Sequence, residues 1–330
     1  MIELYGGIET KIITRVFNFL TLFLSLLFML LFRRDVFESD YRQFFFLSSA
    51  MDSLPDAILQ CILSHICNAR DVACCNCVSK RWKESMIYIK TLYFPRNSLE
   101  NTSAGESPEE VVKRMVSTVV RLEHLTVYSP FSSSGLASWL SLVGLSLSQL
   151  ELRLDNLAEE QSYHHQQSPS KLECIGAARN LKCLKLWGVL MPRFPKWDVF
   201  ENLRTLEMVG VRLEESALIA VLQSCPYLRR FVLLGCEGVR TISIDLPYLE
   251  ECKLDFYGLG NCSLTLTSSK IVSLEVQGCS WIRVPESQHL RNLSISNSAG
   301  NWILKSFLHF SFIGLFFCSR VTYNVIVFFD

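Results

Sequence analysis

One short pattern of apolar and polar residues recurs between residues 122 and 295: aliphatic, two residues, aliphatic, one residue, aliphatic. Eight approximate copies begin with the segments LEHLTV at Leu122, LSQLEL at Leu147, LKCLKL at Leu181, LRTLEM at Leu203, LRRFVL at Leu228, LEECKL at Leu249, IVSLEV at Ile271 and LRNLSI at Leu290. Successive copies start 25, 34, 22, 25, 21, 22 and 19 positions apart. The end of each copy alternates with a period of two, which indicates a short strand rather than an amphipathic helix.

The length of this unit matches the leucine-rich repeat, which spans about 20–29 residues. Each repeat buries its aliphatic side chains against its neighbours, because the strands stack in parallel. The pattern therefore predicts an α/β fold, with a leucine-rich-repeat solenoid over residues 116–300. We expect a curved parallel sheet with helical or irregular outer segments. The step of 34 residues contains a polar insertion, Glu159 to Ser170, which we interpret as a solvated loop.

In each copy, the residue between the last two aliphatic positions faces away from the core, because successive side chains of a strand point to opposite faces. These outward positions predict a recognition face, and His124, Val232 and Ser294 also point outward. The candidate target-binding residues on this face are Thr126, Glu151, Lys185, Glu207, Lys253 and Glu275. Their charges alternate in sign, so a mixed-polarity protein surface and a small molecule are both open as ligands.

A second pattern covers Met51 to Leu92, where apolar residues recur at helical spacing: Leu54, Ile58, Leu59, Ile62, Leu63 and Ile66. Pro55 fits the first turn of this helix. A second helix is predicted from Asp71, whose carboxylate suits a helix N-terminus, and a third short helix follows. A bundle of about 40 residues is marginal as an independent fold. Its first helix has more apolar surface than two short neighbours can cover, which predicts a protein–protein interface.

The segments LPDAILQCILSHI and CVSKRWKE resemble the F-box, whose pattern has Leu-Pro, paired aliphatics and a Val-Ser-Lys-x-Trp end. This resemblance covers residues 51–92, and the repeats are similar to those of plant F-box/leucine-rich-repeat proteins. It implies that the module docks a Skp-type adaptor and, through it, a cullin. The adaptor-binding residues implied by the match are Leu54, Pro55, Ile58, Leu59, Ile62, Leu63, Val78, Ser79 and Trp82.

The first 50 residues contain an uncharged apolar run from Val16 to Phe32. Its 17 residues just reach the length of a transmembrane helix. One interpretation is a membrane anchor. The other is an extension that does not belong to the folded protein, with Met51 as the working start, because F-boxes often follow an N-terminal methionine directly.

Two further segments do not follow the repeat pattern. Residues 93–115 predict an exposed linker and then a helix that starts at Ser107, with Pro108 in its first turn. Residues 301–330 form a hydrophobic tail that is rich in Phe. We interpret this tail as a misread C-terminus; the alternative is a hydrophobic end strand that packs on the array.

Charge and cysteine content narrow the functional classes. Lys plus Arg equals Asp plus Glu, at 32 each, so no nucleic-acid partner is expected. Thirteen cysteines, spread from Cys61 to Cys318, indicate reduced thiols. Cys74 and Cys77, with Cys61 and His65, are residue types that zinc accepts. The Cys-x-x-Cys pair is predicted inside a helix, however, so we expect buried, inert thiols and no metal.

The sequence contains no nucleophile elbow, phosphate loop, HExxH or paired-carboxylate motif, so we expect no catalytic residues and no cofactor. The resemblance implies a non-catalytic, substrate-recognition subunit of a Skp–cullin–F-box ubiquitin ligase, whose repeats bind a target protein. We expect such a chain in the cytoplasm or nucleus. The alternative is a leucine-rich-repeat scaffold without a ligase role, tethered through Val16 to Phe32 with its repeats facing the cytosol.

Overall fold

A computed structural model describes most of the chain from residue 55 onward. The described residues are 55–96, 107–128, 131–153, 172–188, 190–191, 195–235, 238–256, 262–285, 288–296 and 326–329. Val16 to Phe32, Leu54, the polar insertion and most of the hydrophobic tail lie outside these ranges. Within them, no helix has both the length and the apolar character needed to cross a membrane.

Three short helices form the N-terminal module: α1 (Asp56–Leu63), α2 (Ala69–Asn76) and α3 (Lys80–Met86). The Asn68 side chain accepts a hydrogen bond from the Arg70 N–H, and the Ser79 hydroxyl accepts one from the Trp82 N–H. Side-chain oxygens of this kind satisfy the unpaired N–H groups of a first turn. The second helix therefore begins before Asp71, contrary to the prediction, because Asn68 caps it.

Nine parallel strands form the main sheet, in the order β1-β2-β3-β4-β6-β8-β10-β12-β14. They are β1 (Thr91–Phe94), β2 (His124–Val127), β3 (Gln149–Arg153), β4 (Cys183–Trp187), β6 (Thr205–Val209), β8 (Arg230–Leu234), β10 (Glu251–Asp255), β12 (Ser273–Gln277) and β14 (Asn292–Ser296). Each of the eight sequence copies supplies one strand, from β2 to β14. The predicted α/β fold, a small helical module followed by a repeat solenoid, is confirmed.

Strand β1 extends the array beyond the predicted repeats. It pairs in parallel with β2, with Thr91 opposite His124. The sequence pattern predicts the helical module to end at Leu92 and a linker to follow, so this strand is a correction to both. The Tyr93 N–H also donates to the Cys67 carbonyl at 2.7 Å, so the same strand is bonded to the helical module. The module therefore leads into the sheet directly.

The outer segments of the first repeats are helices: α4 (Pro108–Thr118), α5 (Ser133–Val143), a 3₁₀ turn (Glu173–Ala177) and α6 (Glu215–Gln223). A two-stranded ladder, β5 (Leu190–Met191) with β7 (Arg212–Leu213), lies among them. The predicted start of α4 is confirmed, because the Ser107 hydroxyl accepts from the Glu110 N–H and Pro108 occupies the first turn.

The outer segments of the last repeats form a second sheet, in the order β15-β13-β11-β9. Its strands are β9 (Thr241–Asp245), β11 (Cys262–Thr267), β13 (Cys279–Val284) and β15 (Ile326–Phe329). The prediction of helical or irregular outer segments did not include this sheet. These repeats are only 19–22 residues long. Apolar and polar residues alternate with a period of two both in the main-sheet strand and in the outer segment of each repeat, and this alternation favours strands. Strand β15, near the end of the hydrophobic tail, pairs with β13. This pairing agrees with the alternative interpretation of the tail as an end strand on the array.

Buried aliphatic side chains run as one continuous cluster from Leu59 in α1 to Leu290 before β14. The inward positions of the main strands supply most of it; in β4, for example, Leu184 and Leu186 are fully buried. The helical module and the repeats therefore share one core. The surface that remains has two parts of interest, namely the outer side of α1 and the face of the main sheet that points away from this core.

Candidate functional site

The predicted adaptor-binding residues divide into buried and exposed groups. Leu59, Leu63 and Trp82 are almost completely buried inside the module. In the isolated chain these three side chains support the predicted docking surface from beneath, and their contact with an adaptor stays a prediction. Helical spacing identified the apolar residues but not which of them the other two helices cover.

The exposed group forms a small apolar surface on α1. Pro55, Ala57, Ile58 and Cys61 are exposed, and we call these four residues the α1 patch. Ile58 is the largest of the four side chains and keeps 46% of its surface accessible; a group of neighbouring exposed apolar residues is more informative than one alone. Ile62 and Val78 are half-buried and pack against the core from the same module. The α1 patch is the part of the predicted interface that the structure leaves open.

Polar contacts fix the patch in place. Asp56, beside it, accepts hydrogen bonds from the Arg81 guanidinium at 2.7 and 2.9 Å, which ties α1 to α3. Ser79, predicted as an adaptor contact, uses its hydroxyl to cap α3. The ion pair links α1 to α3, and the cap satisfies an N–H group in the first turn of α3.

The thiols of the module differ in their exposure. Cys61, Cys74 and Cys77 are exposed, contrary to the expectation of buried thiols, and only Cys75 of the cysteine-rich stretch is fully buried. The His65 Nδ1 lies 2.8 Å from the Cys61 carbonyl oxygen. Among the described residues, no three His, Cys, Asp or Glu side chains are grouped for a metal ion. Burial raises the pKa of the Cys75 thiol to about 12, so it stays protonated and unreactive at neutral pH.

The second surface is the open face of the main sheet, and its central residues align across all nine strands. The strand register places them in one line, which we call the middle row: Tyr93, Thr126, Glu151, Lys185, Glu207, Val232, Lys253, Glu275 and Ser294. All six predicted target-binding residues lie in this row. Sequence alternation placed them on one face, and the register brings them side by side.

Neighbouring charges of the middle row neutralise one another. Lys185 Nζ lies 3.4 Å from a Glu207 carboxylate oxygen, and Lys253 Nζ lies 2.9 Å from Glu275. Opposite charges directly across neighbouring strands stabilise a sheet modestly. The row therefore presents short polar pairs instead of a field of one sign, in agreement with the alternating charges in the sequence.

An arginine held between aromatic rings lies next to the middle row, and the sequence reasoning missed it. The Arg153 guanidinium carbon lies 3.9 Å from the centre of the Tyr128 ring and 3.6 Å from that of Trp187. Its Nε donates to Glu151 at 2.7 Å, and the Tyr128 hydroxyl donates to the same oxygen at 3.3 Å. Tyr93 packs edge-on against Tyr128. Arg153 and Trp187 occupy the next outward position of their strands, so the same alternation would have found them.

Partial burial alters the ionisation of this cluster. Burial raises the pKa of Glu151, and the nearby Lys185 opposes that rise. Burial also lowers the pKa of Arg153. Both shifts mean that the pair has already lost part of its hydration. Tyr, Trp and Arg are the residue types most often found at the energetic centre of protein interfaces, so the arrangement suits the binding of another polypeptide.

Comparison with known proteins finds a family match for each of the two parts of the chain. A family model described as F-box-like matches residues 51–90. A second, described as the leucine-rich repeats of the FBD-associated F-box protein At5g56370, matches residues 136–267. The first match covers the helical module that carries the α1 patch. The second covers most of helix α5 and the strands from β3 to β11, which include Arg153 and Trp187 but not Tyr128.

Two curated relatives come from Arabidopsis thaliana. F-box protein At1g10780 is 58% identical over 261 residues, which cover 79% of this chain and 62% of that protein. The putative FBD-associated F-box protein At5g56560 is 24% identical over 262 residues, which cover 77% of this chain and 57% of that protein. The chain thus spans about three fifths of the length of these relatives. With its F-box-like module, its repeats and this similarity, the chain is a plant-type F-box/leucine-rich-repeat protein.

Proposed function

We propose that the protein is the substrate-recognition subunit of a Skp–cullin–F-box type ubiquitin ligase. The family is typically a non-catalytic adaptor with a protein-interaction role, and an F-box generally binds a Skp-type adaptor. The observation that carries the proposal is the α1 patch: Ile58 is left exposed while Leu59 and Leu63 close the core beneath it. An apolar surface of this kind is stabilised when a partner covers it.

The position of strand β1 supports the proposed division of labour. Its backbone is bonded to the helical module through Tyr93 and Cys67, and the Tyr93 side chain belongs to the middle row. An adaptor on α1 and a target on the open face would therefore be held at a fixed separation. Since ubiquitin transfer by the other subunits depends on proximity, a fixed separation raises the effective concentration of the target lysine.

The proposal is tested by a charge on the α1 patch. Ile58→Glu places a carboxylate where the adaptor is expected to bury an aliphatic side chain. About half of the Ile58 surface remains to be buried, which contributes about 0.7–1.5 kcal/mol, and burial of the new carboxylate adds a desolvation cost, so binding should weaken at least about tenfold. Ile219→Glu is the matched control, because Ile219 on α6 is also 46% exposed and lies in the repeats.

The measurement is the dissociation constant of the full chain for a purified Skp-type adaptor. Ile58→Glu should weaken binding while its urea midpoint stays within error of the unaltered protein, and Ile219→Glu should change neither quantity. Unchanged binding of the adaptor by Ile58→Glu, or equal losses in the two variants, would exclude the α1 patch as the docking surface.

We also propose that the protein acts in the cytoplasm or nucleus. The support is its proposed role, since ubiquitin ligases of this type work there. Carbonate extraction of the full chain, beside a form that starts at Met51, tests this proposal. Retention of only the full chain in the membrane fraction would favour the tethered alternative through Val16 to Phe32.

A further inference from the structure

On the open face, two buried polar atoms have no hydrogen-bond partner among the residues that the structure describes. They are the Trp187 Nε1 donor in β4 and the Asp255 Oδ1 acceptor in β10. Within the described residues, the other buried side-chain atoms without a partner are in the helical module, on Asn76 and Trp82. Leaving such an atom unpaired opposes folding, so both atoms are available to hydrogen-bond with a ligand on this surface.

Both residues belong to one line of side chains, the next outward line beyond the middle row. Trp187 is opposite Val209, and Val209 is opposite Leu234. Leu233 is opposite Leu254, which places Leu234 beside Asp255. We call Arg153, Trp187, Val209, Leu234 and Asp255 the distal row. It runs from hydrogen-bond donors at one end, through two half-buried aliphatic side chains, to an acceptor at the other.

The rim of the distal row is bare backbone at three consecutive strands. Gly188, Gly210 and Gly235 directly follow Trp187, Val209 and Leu234. A Cβ added at Gly210 would lie 3.9 Å from the backbone of Gly188 and have no closer neighbour. At these three positions, therefore, no side chain of the rim itself stands between the row and an incoming chain.

We propose that the distal row binds an extended segment of the target polypeptide that carries an acceptor side chain at position i, an aliphatic side chain at i+2 and a basic side chain at i+4. The acceptor, a carboxylate or amide oxygen, meets Arg153 and Trp187. The aliphatic side chain covers Val209 and Leu234. The basic group pairs with Asp255. This proposal rests on the proposed function, because it takes the open face to be the target-binding face.

The spacing follows from strand geometry. Trp187 and Asp255 are three strands apart, or about 14 Å at the usual separation of about 4.8 Å between strands. An extended chain advances about 3.3 Å per residue, so four residues span about 13 Å. Residues i, i+2 and i+4 of an extended chain also lie on the same side. One face of a five-residue segment therefore spans the distal row from Trp187 to Asp255, and Arg153, whose guanidinium stacks on the Trp187 ring, lies beside the same end.

The charges favour a polypeptide with groups of both signs over a uniformly charged ligand. Glu151 already pairs with Arg153 through Nε and Nη2, which limits attraction for a polyanion. Asp255, at the other end, is partly buried, and burial raises its pKa. A cation beside Asp255 would restore the interactions that its carboxylate loses with water. A ligand with only one sign of charge would satisfy one end of the row and oppose the other.

The test uses the full chain and fluorescent peptides of the form Asp-Ser-Leu-Ser-Lys, flanked by serines, with binding followed by anisotropy. Three control peptides separate the contributions: Asp-Leu-Lys without spacers, Asp-Ser-Leu-Ser-Asp and Lys-Ser-Leu-Ser-Lys. The spaced peptide with both charges should bind at least about tenfold more tightly than each control, because each loses a charge-assisted contact. Reversing the sequence is not a useful control, since a reversed chain can still place each charge correctly.

Three substitutions assign the contacts. Asp255→Asn should weaken the spaced peptide about tenfold, and Asp255→Lys should shift the preference toward Asp-Ser-Leu-Ser-Asp. Trp187→Phe should weaken the spaced peptide, because it removes the indole N–H and part of the ring that stacks on Arg153. Asp198→Asn is the matched control, because Asp198 is exposed, lies outside the main sheet and should leave binding unchanged. Circular dichroism confirms that each variant is folded.

Equal binding of the four peptides, no binding of any, or an unchanged preference in Asp255→Lys would overturn the inference. None of these results bears on the docking of the adaptor, which is measured separately through Ile58. Conversely, if the chain proves not to act in a ubiquitin ligase, its preference among the four peptides can still be measured on the isolated chain. The two proposals therefore fail on different observations.

Discussion

Replacement of Gly278 by alanine is expected to destabilise the last repeats far more than replacement of Gly210. Both glycines follow a strand of the main sheet and have positive φ, 83° at Gly278 and 61° at Gly210. They differ in their surroundings. A Cβ at Gly278 would press directly against the Phe256 carbonyl oxygen, whereas a Cβ at Gly210 would have no neighbour closer than 3.9 Å.

The magnitude follows from two separable costs. An alanine in the left-handed region costs about 1–2 kcal/mol, and this cost applies at both positions. Crowding of a packed interior costs about 1–3 kcal/mol more, and it applies only at Gly278. Relief of the contact requires Phe256 to move, although its N–H donates to the Gln277 carbonyl at 3.0 Å between β10 and β12. We expect a loss of about 1–2 kcal/mol for Gly210→Ala and about 2–5 kcal/mol for Gly278→Ala.

Urea denaturation followed by circular dichroism measures both losses. With an unchanged slope, the shift of the midpoint reports the change in the free energy of unfolding. Gly210→Ala serves as the internal control for the backbone conformation. If the two variants lose the same free energy, the carbonyl contact has no energetic weight and the reasoning from the Phe256 position is wrong.

Two further predictions concern the helical module. Leu63→Ala should lower the free energy of unfolding by about 2–5 kcal/mol in urea denaturation, because it leaves a cavity beneath α1; a loss below 1 kcal/mol would contradict the burial of Leu63. The Cys75 thiol should react with iodoacetamide far more slowly than the exposed Cys61 in the folded protein, as mass spectrometry of the alkylated peptides would show. Burial raises the pKa of the Cys75 thiol from 9.0 to about 12. The stability contributed by burying the protonated Cys75 thiol is therefore complete below pH 9 and is lost as the pH rises toward 12.

Several features of the molecule could be predicted because they depend on neighbouring residues. The alternation in LKCLKL or LRTLEM requires Leu184 and Leu206 to point inward, whatever follows in the chain. Likewise Ser107 and Pro108 specify the start of α4 without help from distant residues. The Leu-Pro and Val-Ser-Lys-x-Trp segments carried the resemblance to the F-box for the same reason.

Other features depend on residues that are distant in the sequence. Helical spacing marked Ile58 and Leu59 equally, but only the packing of α2 and α3 decides that Leu59 is buried and Ile58 is exposed. The cluster around Arg153 requires Tyr128, Arg153 and Trp187 to meet across three strands. No local pattern encodes that meeting, because the repeats that bring these strands together differ in length.

The amino-acid sequence by itself determined the two building blocks, their order and the outward residues of each strand, because hydrophobic periodicity is a local property. The tertiary structure alone decided that β1 joins the sheet, that the last repeats build a second sheet and that Trp187 and Asp255 share the distal row. Those outcomes depend on register between strands, which is set by the packing of whole repeats against one another.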